Sequence, residues 1–225
     1  MHDIAPRLLA VAHGTVSGPG RTTIQRLVVA IRAARPSVRV DLCFLDVLEP
    51  RLPEALNDSP TVVVPLLLST GYHVQTDIPD AIAPYPAAVA ARHLGPHPLL
   101  VEALVARLGS VGDHDSPVLV GAGSSRSQAA DELARTAELL GERLGRPVTV
   151  LTMADDLPAA LSELPGQVRI ATYLLAEGQF VMALRTAAAA AGAAVSEPLG
   201  AHPAIVQLVW MRYDEAVGGL TPRVR

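Results

Sequence analysis

Two histidines and an aspartate carry the chemistry this sequence offers. His13 stands in LLAVAHG, Asp46 in VDLCFLD and His73 in PLLLSTGYHVQTDIP. Two imidazoles and a carboxylate are borderline donors suited to Fe²⁺, Co²⁺, Ni²⁺ or Zn²⁺, and a set of only three leaves coordination positions open. Openness is what a site needs if it passes its metal onward. Imidazole adds a second capability, because its unperturbed pKa of about 6.5 lets it take up protons near neutrality. Gly14 and Gly71 stand beside the two histidines, where glycine lets the backbone turn and a large ligand approach.

Residues this far apart meet only if the fold brings them to one edge. Short apolar runs rich in Val, Leu and Ala alternate with longer helical patterns, which is the signature of βα units and a parallel sheet. In the first half, strands are expected at 8–12, 38–44, 62–68 and 88–92, with helices at 22–34, 51–56, 75–83 and 98–108. In the second half, strands are expected at 118–121, 148–152, 168–174 and 193–197, with helices at 127–144, 158–164, 179–191 and 203–217. His13, Asp46 and His73 then follow the first, second and third strands. In open α/β sheets ligands bind outside the carboxyl ends of the strands, where the loops converge.

The chain also reads as one unit written twice. LLAVAHG aligns with PVLVGAG at 117–123, VVVPLLLSTGYH with RIATYLLAEGQF at 169–180, and LGPHP at 94–98 with LGAHP at 199–203. Under this alignment His13 faces Ala122, His73 faces Phe180 and Asp46 faces Ala154. The second copy has lost the polar set, which implies one working site and one scaffold half. The expected fold is α/β: two tandem Rossmann-like lobes related by internal duplication, each a four-stranded parallel sheet flanked by helices. The lobes are placed at 1–112 and 113–225, with a linker at 109–117 and a frayed tail at 218–225.

Composition narrows the partners. Of 225 residues half are hydrophobic, enough for each lobe to bury a core, and aromatics make up 3%, which argues against stacking platforms for single strands. A formal net charge of -4 leaves no basic footprint, so no nucleic-acid partner is expected. No apolar run reaches the length of a membrane span and the N-terminus lacks a leader pattern, so no membrane partner and a cytoplasmic location are expected. GxGxxG is absent, so no nucleotide is expected. The single Cys43 reads as a core strand residue.

Other candidates compete for roles. Glu49 and Asp41 are alternatives to Asp46. The loop GAGSSRSQ at 121–128 offers backbone N–H groups and Arg126 to an anion, and its counterpart HGTVSGPGR ends in Arg21; simple helix capping by Ser or Thr is the competing reading. Arg51 and Arg92 are further candidate cations, with solvated surface charge as the competing reading. His97 and His202 both sit in LGxHP, and their persistence in both halves points to packing. His93 follows the fourth strand, whereas His2 and His114 read as solvated.

At HG after the first strand, PLLLSTGYHVQTDIP after the third and LGPHP after the fourth, the chain resembles the sirohydrochlorin chelatases, class II enzymes that insert Fe²⁺ or Co²⁺ into a sirohydrochlorin-type tetrapyrrole. The resemblance covers nearly the whole chain and matches the two-lobed bacterial form. It implies that His13 and His73 bind the metal and accept protons, that Asp46 stands where the family usually has Glu, and that the divalent metal is a substrate. Sirohydrochlorin is then the partner, Arg21 and Arg126 candidates for its carboxylates, and a monomer or weak homo-oligomer the expected state. Siroheme synthesis by a ferrochelatase leads; a cobaltochelatase of cobalamin synthesis, or a carrier that binds without turnover, are the alternatives, and the ligands do not choose among iron, cobalt and nickel. Two departures stand out. Thr15 replaces the family's Ser, with VSGPG displacing the Arg to Arg21, and Thr70 occupies the usually hydrophobic position before GxH.

Overall fold

The computed structural model describes residues 5–220; His2 and the end of the tail, 221–225, lie outside them. Two four-stranded parallel sheets are present. β1 (Arg7–Ala12), β2 (Val40–Phe44), β3 (Thr61–Pro65) and β4 (Ala88–Ala90) form the first, in the order β2-β1-β3-β4. β5 (Asp115–Gly121), β6 (Thr149–Thr152), β7 (Gln167–Tyr173) and β8 (Ala194–Val195) form the second, in the order β6-β5-β7-β8. The identical winding bears out the duplication and the α/β class. Residues of β1 and β3 are buried throughout, as expected for strands covered by helices on both faces.

The helices follow the expected order: α1 (Gly18–Ala34), α2 (Leu52–Ala55), α3 (Ile78–Ile82), α4 (Pro98–Leu108), α5 (Ser127–Leu144), α6 (Leu157–Ser162), α7 (Gln179–Ala190) and α8 (Pro203–Leu220). Three boundaries differ instructively. α1 starts four residues before the expected Thr22, because Ser17 caps it by accepting from the Gly20 N–H and Pro19 suits its first turn, so part of the glycine-rich segment is helix. The expected linker contains the start of β5. There Asp115–Pro117 pair only with Gln167–Arg169 of β7, since pairing with β6 begins at Val118, and the missing N–H of Pro117 is tolerated on the unpaired side. Gly218–Leu220, expected to fray, belong to α8.

Each sheet buries one face in its own outer core. Leu9, Val11, Cys43, Val63 and Ile78 form that of the first lobe; Val118, Val120, Ile170 and Leu184 form that of the second. The inner faces share a single core in which Leu8, Val62 and Val64 join Leu119, Ala171 and Tyr173. The last helices of the lobes cross over: α4 packs on β7 and α5, and α8 packs on β3 and α1. The two sheets are therefore held as one body, and the loops at their strand ends face a common cleft. Among the described residues no helix is long and apolar enough to cross a membrane.

Candidate active site

β1 ends at Ala12 and delivers His13 to its carboxyl end. The next backbone steps are forced: the Asp46 N–H donates to the His13 carbonyl at 2.9 Å, and Leu45 N–H to that of Ala12 at 2.9 Å. This draws the loop after β2 so close that a Cβ on Gly14 would lie 2.0 Å from the Asp46 carbonyl oxygen, and Gly14 turns with φ +98°. Only glycine fits there. Gly71 differs: a Cβ there would meet nothing within 4 Å and its φ is not positive, so the expected need for glycine is absent, although Gly71 lines the cleft.

His73 opens a single π-helical turn, His73–Asp77, in which the Ile78 N–H reaches back to the His73 carbonyl. Such turns concentrate at functional sites because they re-aim side chains. Here the turn brings the His73 ring to the His13 ring, with centroids 4.8 Å apart and planes at 82°. His73 Nδ1 lies 2.5 Å from Asp77 Oδ2, and His13 Nδ1 lies 3.2 Å from the Gly14 carbonyl. Both partners are acceptors, so in a neutral ring Nδ1 carries the proton and Nε2 is left with a lone pair. The spacing of His73 and Asp77, four residues apart in HVQTD, was the signal from which Asp77 could have been found.

The cleft beside the pair has a volume of about 1010 Å³ and draws its wall from both lobes. His13, Gly14 and His73 line one side; their counterparts Ala122, Gly123 and Phe180 line the other, with Ala154. Arg21 is exposed on this wall and makes no ion pair among the described residues. Glu177, which sequence reasoning missed, also lines it, and a bidentate contact with Arg185 at 2.9 and 3.0 Å neutralises it.

Two expected site residues are not brought to the cleft. Asp46 is exposed; its Oδ1 accepts from the Val47 N–H at 2.8 Å and lies 3.4 Å from an Arg51 nitrogen, so the carboxylate closes its own turn, and Val47 rather than Asp46 forms the wall. Val47 is held at φ 66°, strain for a β-branched residue, and the bond from Asp46 helps hold it. Arg126 is exposed and off the wall, because it is the residue at which the backbone enters α5; Ser124 and Ser125 of the same loop line the cleft instead. Arg51 and Arg92 are off it too. Among the described residues no three His, Cys, Asp or Glu side chains surround a common point, so His13 and His73 stand as a pair.

Two of the remaining histidines cap helices, and His114 is exposed. His97 Nδ1 accepts from Leu99 N–H at 3.1 Å and His202 Nδ1 from Ala204 N–H at 3.2 Å, so both cap helices. Burial, and then nearby arginine, lowers the pKa of each. His93 is buried with Nε2 3.2 Å from Glu132 Oε1, outside hydrogen-bonding geometry, and burial lowers its pKa despite the carboxylate.

Comparison with known proteins agrees with this architecture. The model of the CbiX family matches residues 7–111 and again 116–216. Among solved structures, SirB from Bacillus subtilis with Fe³⁺ aligns with a TM-score of 0.81 at 21% identity, over 96% of this chain and 97% of that one. SirB from Bacillus subtilis subspecies spizizenii in complex with cobalt gives 0.80 at 21% identity, over 96% of each chain. A structure described as CbiX, the terminal enzyme for biosynthesis of siroheme in denitrifying bacteria, gives 0.71 at 20% identity, over 93% of this chain and 99% of that one. No curated protein matches significantly in sequence. With one family model fitting each of its two lobes in turn, the chain belongs to the CbiX family.

Proposed function

We propose that this chain is a sirohydrochlorin ferrochelatase, inserting Fe²⁺ into sirohydrochlorin to give siroheme, and that the lobe at 1–112 performs the chemistry while 113–225 supplies the opposite wall. The observation that carries this reading is the pair of imidazoles, 4.8 Å apart, each with Nδ1 engaged and Nε2 available, on the wall of a cleft large enough for a macrocycle. The likeness to SirB and CbiX supports it.

The reaction exchanges one divalent ion for two pyrrole protons. Two Nε2 atoms match both needs in sequence. While the ion is held they are its ligands, and as it passes to the macrocycle nitrogens each freed Nε2 can accept one proton. Asp77 stabilises the imidazolium that forms on His73, as carboxylate partners of histidine do. Arg21 is the cation placed for a substrate carboxylate. Asp46 acts indirectly, by fixing the turn whose backbone holds His13. The chain is expected to work in the cytoplasm as a monomer or weak homo-oligomer.

The test is incubation of purified protein with sirohydrochlorin and Fe²⁺ under anaerobic conditions, or with Co²⁺, following the absorption spectrum. Multiple turnovers with Fe²⁺ preferred support the proposal; preference for Co²⁺ makes the chain a cobaltochelatase, and a single equivalent bound makes it a carrier. His13→Ala/His73→Ala retaining the parent rate would overturn the site.

A further inference from the structure

Thr70, the departure from the family pattern before Gly-x-His, is 3% exposed and both its donors point to the other lobe. Its N–H and its hydroxyl each donate to Glu132 of α5, to Oε2 and Oε1, both at 2.6 Å. One helical turn earlier Gln128 accepts from Gln75 at 3.0 Å, and Tyr173 Oη donates to the Leu68 carbonyl at 3.0 Å. The second lobe thus grips the loop at residues 68, 70 and 75, which bracket His73.

We propose that Glu132, on the lobe that lacks the imidazole pair, is a positioning residue: it clamps the Ser69–Gly71 loop so that the His73 ring is held against that of His13. Energetics favour a firm grip. The Glu132 side chain is 12% exposed, and among the described residues no arginine or lysine pairs with it. His93 Nε2 lies 3.2 Å from Oε1 but outside hydrogen-bonding geometry, so the hydrogen bonds of the carboxylate come from Thr70 and, more weakly, from Gln128 at 3.4 Å. A buried carboxylate bound by neutral donors cannot release them without losing its solvation, and charge-assisted bonds of this kind are the stronger ones. The pairing also explains the threonine: an apolar residue at 70 would keep the backbone bond to Oε2 but leave Oε1 with only the weaker contact from Gln128.

This inference rests on the metal reading of His13 and His73, and its test separates the two. Full-length protein is compared with Glu132→Gln, Glu132→Ala, Thr70→Val and Thr70→Ser by amide hydrogen exchange across residues 69–77, by Co²⁺ titration read in the visible absorption of the ion, and by thermal melting. Loss of the carboxylate should speed exchange in 69–77 and weaken Co²⁺ affinity about tenfold, the size seen when outer partners of metal ligands are removed. Thr70→Val should follow in the same direction with a smaller change, and Thr70→Ser should restore both readouts. If Glu132→Ala fails to melt cooperatively, Thr70→Val against Thr70→Ser decides alone. Exchange and affinity within twofold of the parent in Glu132→Gln and Thr70→Val would overturn the clamp. Should the parent protein bind no Co²⁺, the metal reading fails, while the exchange comparison still decides whether Glu132 holds the loop.

Discussion

The two lobes present the same backbone to the cleft with different side chains. Gly14 and Gly123 both turn with positive φ, +98° and +84°, at the end of the first strand of each sheet. Next to them stand His13 in one lobe and Ala122 in the other; His73 is answered by Phe180, which is 52% exposed on the opposite wall. What both lobes retain serves folding: the turn glycine, the strand order and the capping histidine of LGxHP. What only one retains can hold an ion or a proton. Under the proposed function the duplicated fold separates chemistry from architecture within a single chain, and each lobe is the control for the other. The control is imperfect in one respect, because the lobe without the imidazole pair reaches across with Glu132 and Tyr173.

The largest effect should fall on the polar wall. His13→Ala or His73→Ala is expected to lower the rate of chelation at least about 10²-fold, the contribution typical of a positioned acid or base, and to remove Co²⁺ binding. Phe180→Ala removes only apolar contact, so KM should rise a few-fold with kcat nearly unchanged. Asp46→Asn, which touches the site through its turn, should fall between the two. Steady-state kinetics on the four variants decide it, and equal losses on both walls would abolish the division of labour.

Next comes the backbone that both lobes share. Gly14→Ala forces a Cβ to 2.0 Å from a backbone oxygen in a left-handed conformation that by itself costs about 1–2 kcal/mol. A chain of this size loses roughly 2–4 °C in Tm per kcal/mol, so a fall of at least about 5 °C is expected. Gly123→Ala shares the backbone penalty, but its nearest atom, 3.2 Å away, is a threonine side chain, and the fall should be smaller. Gly71→Ala should be within about 0.5 kcal/mol of neutral. Calorimetry of the three should reproduce that order; Gly71→Ala melting as low as Gly14→Ala would contradict the geometry.

Much of this was legible in the sequence, and the exceptions share a cause. Strand periodicity and the repeat placed His13 and His73 at one edge, because side chains that directly follow buried strands have little freedom in where they go. Asp46 lies off the cleft wall, since its distance from the strand end says nothing of the bond to its own neighbour that closes the turn. Arg126 is off the wall for a similar reason: Gly and Ser marked the loop, but one residue of helix entry decides which side chains face the cleft. The exchange of α4 and α8 between sheets was invisible, because an amphipathic pattern shows that a helix packs and not on which sheet. Thr70 and Glu132 carried a readable hint, a polar residue in an apolar position, but its partner lies in the other lobe.

The smallest expected effect tests the features common to the lobes. His97 and His202 cap α4 and α8 through an Nδ1 that must be unprotonated to accept, and both helices lie in the shared core. Replacing either by Ala should cost about 1 kcal/mol, the usual value of an N-cap, and replacement by Asn, a good cap, much less. The pH dependence has a definite sign. Burial lowers both pKa values from the ordinary 6.5, so the unfolded chain takes up the protons first. The caps therefore contribute fully above pH 6.5, and their contribution is lost as pH falls below that through the folded-state values. His93, lowered by burial as well, adds to the same decline. Melting temperatures measured from pH 8 to pH 5 should fall for the parent protein and fall less steeply for His97→Asn/His202→Asn, with His93 supplying the slope that remains. Equal slopes in the two proteins would mean that these imidazoles do not cap as neutral acceptors, and the symmetry drawn between the lobes would lose its best-matched pair.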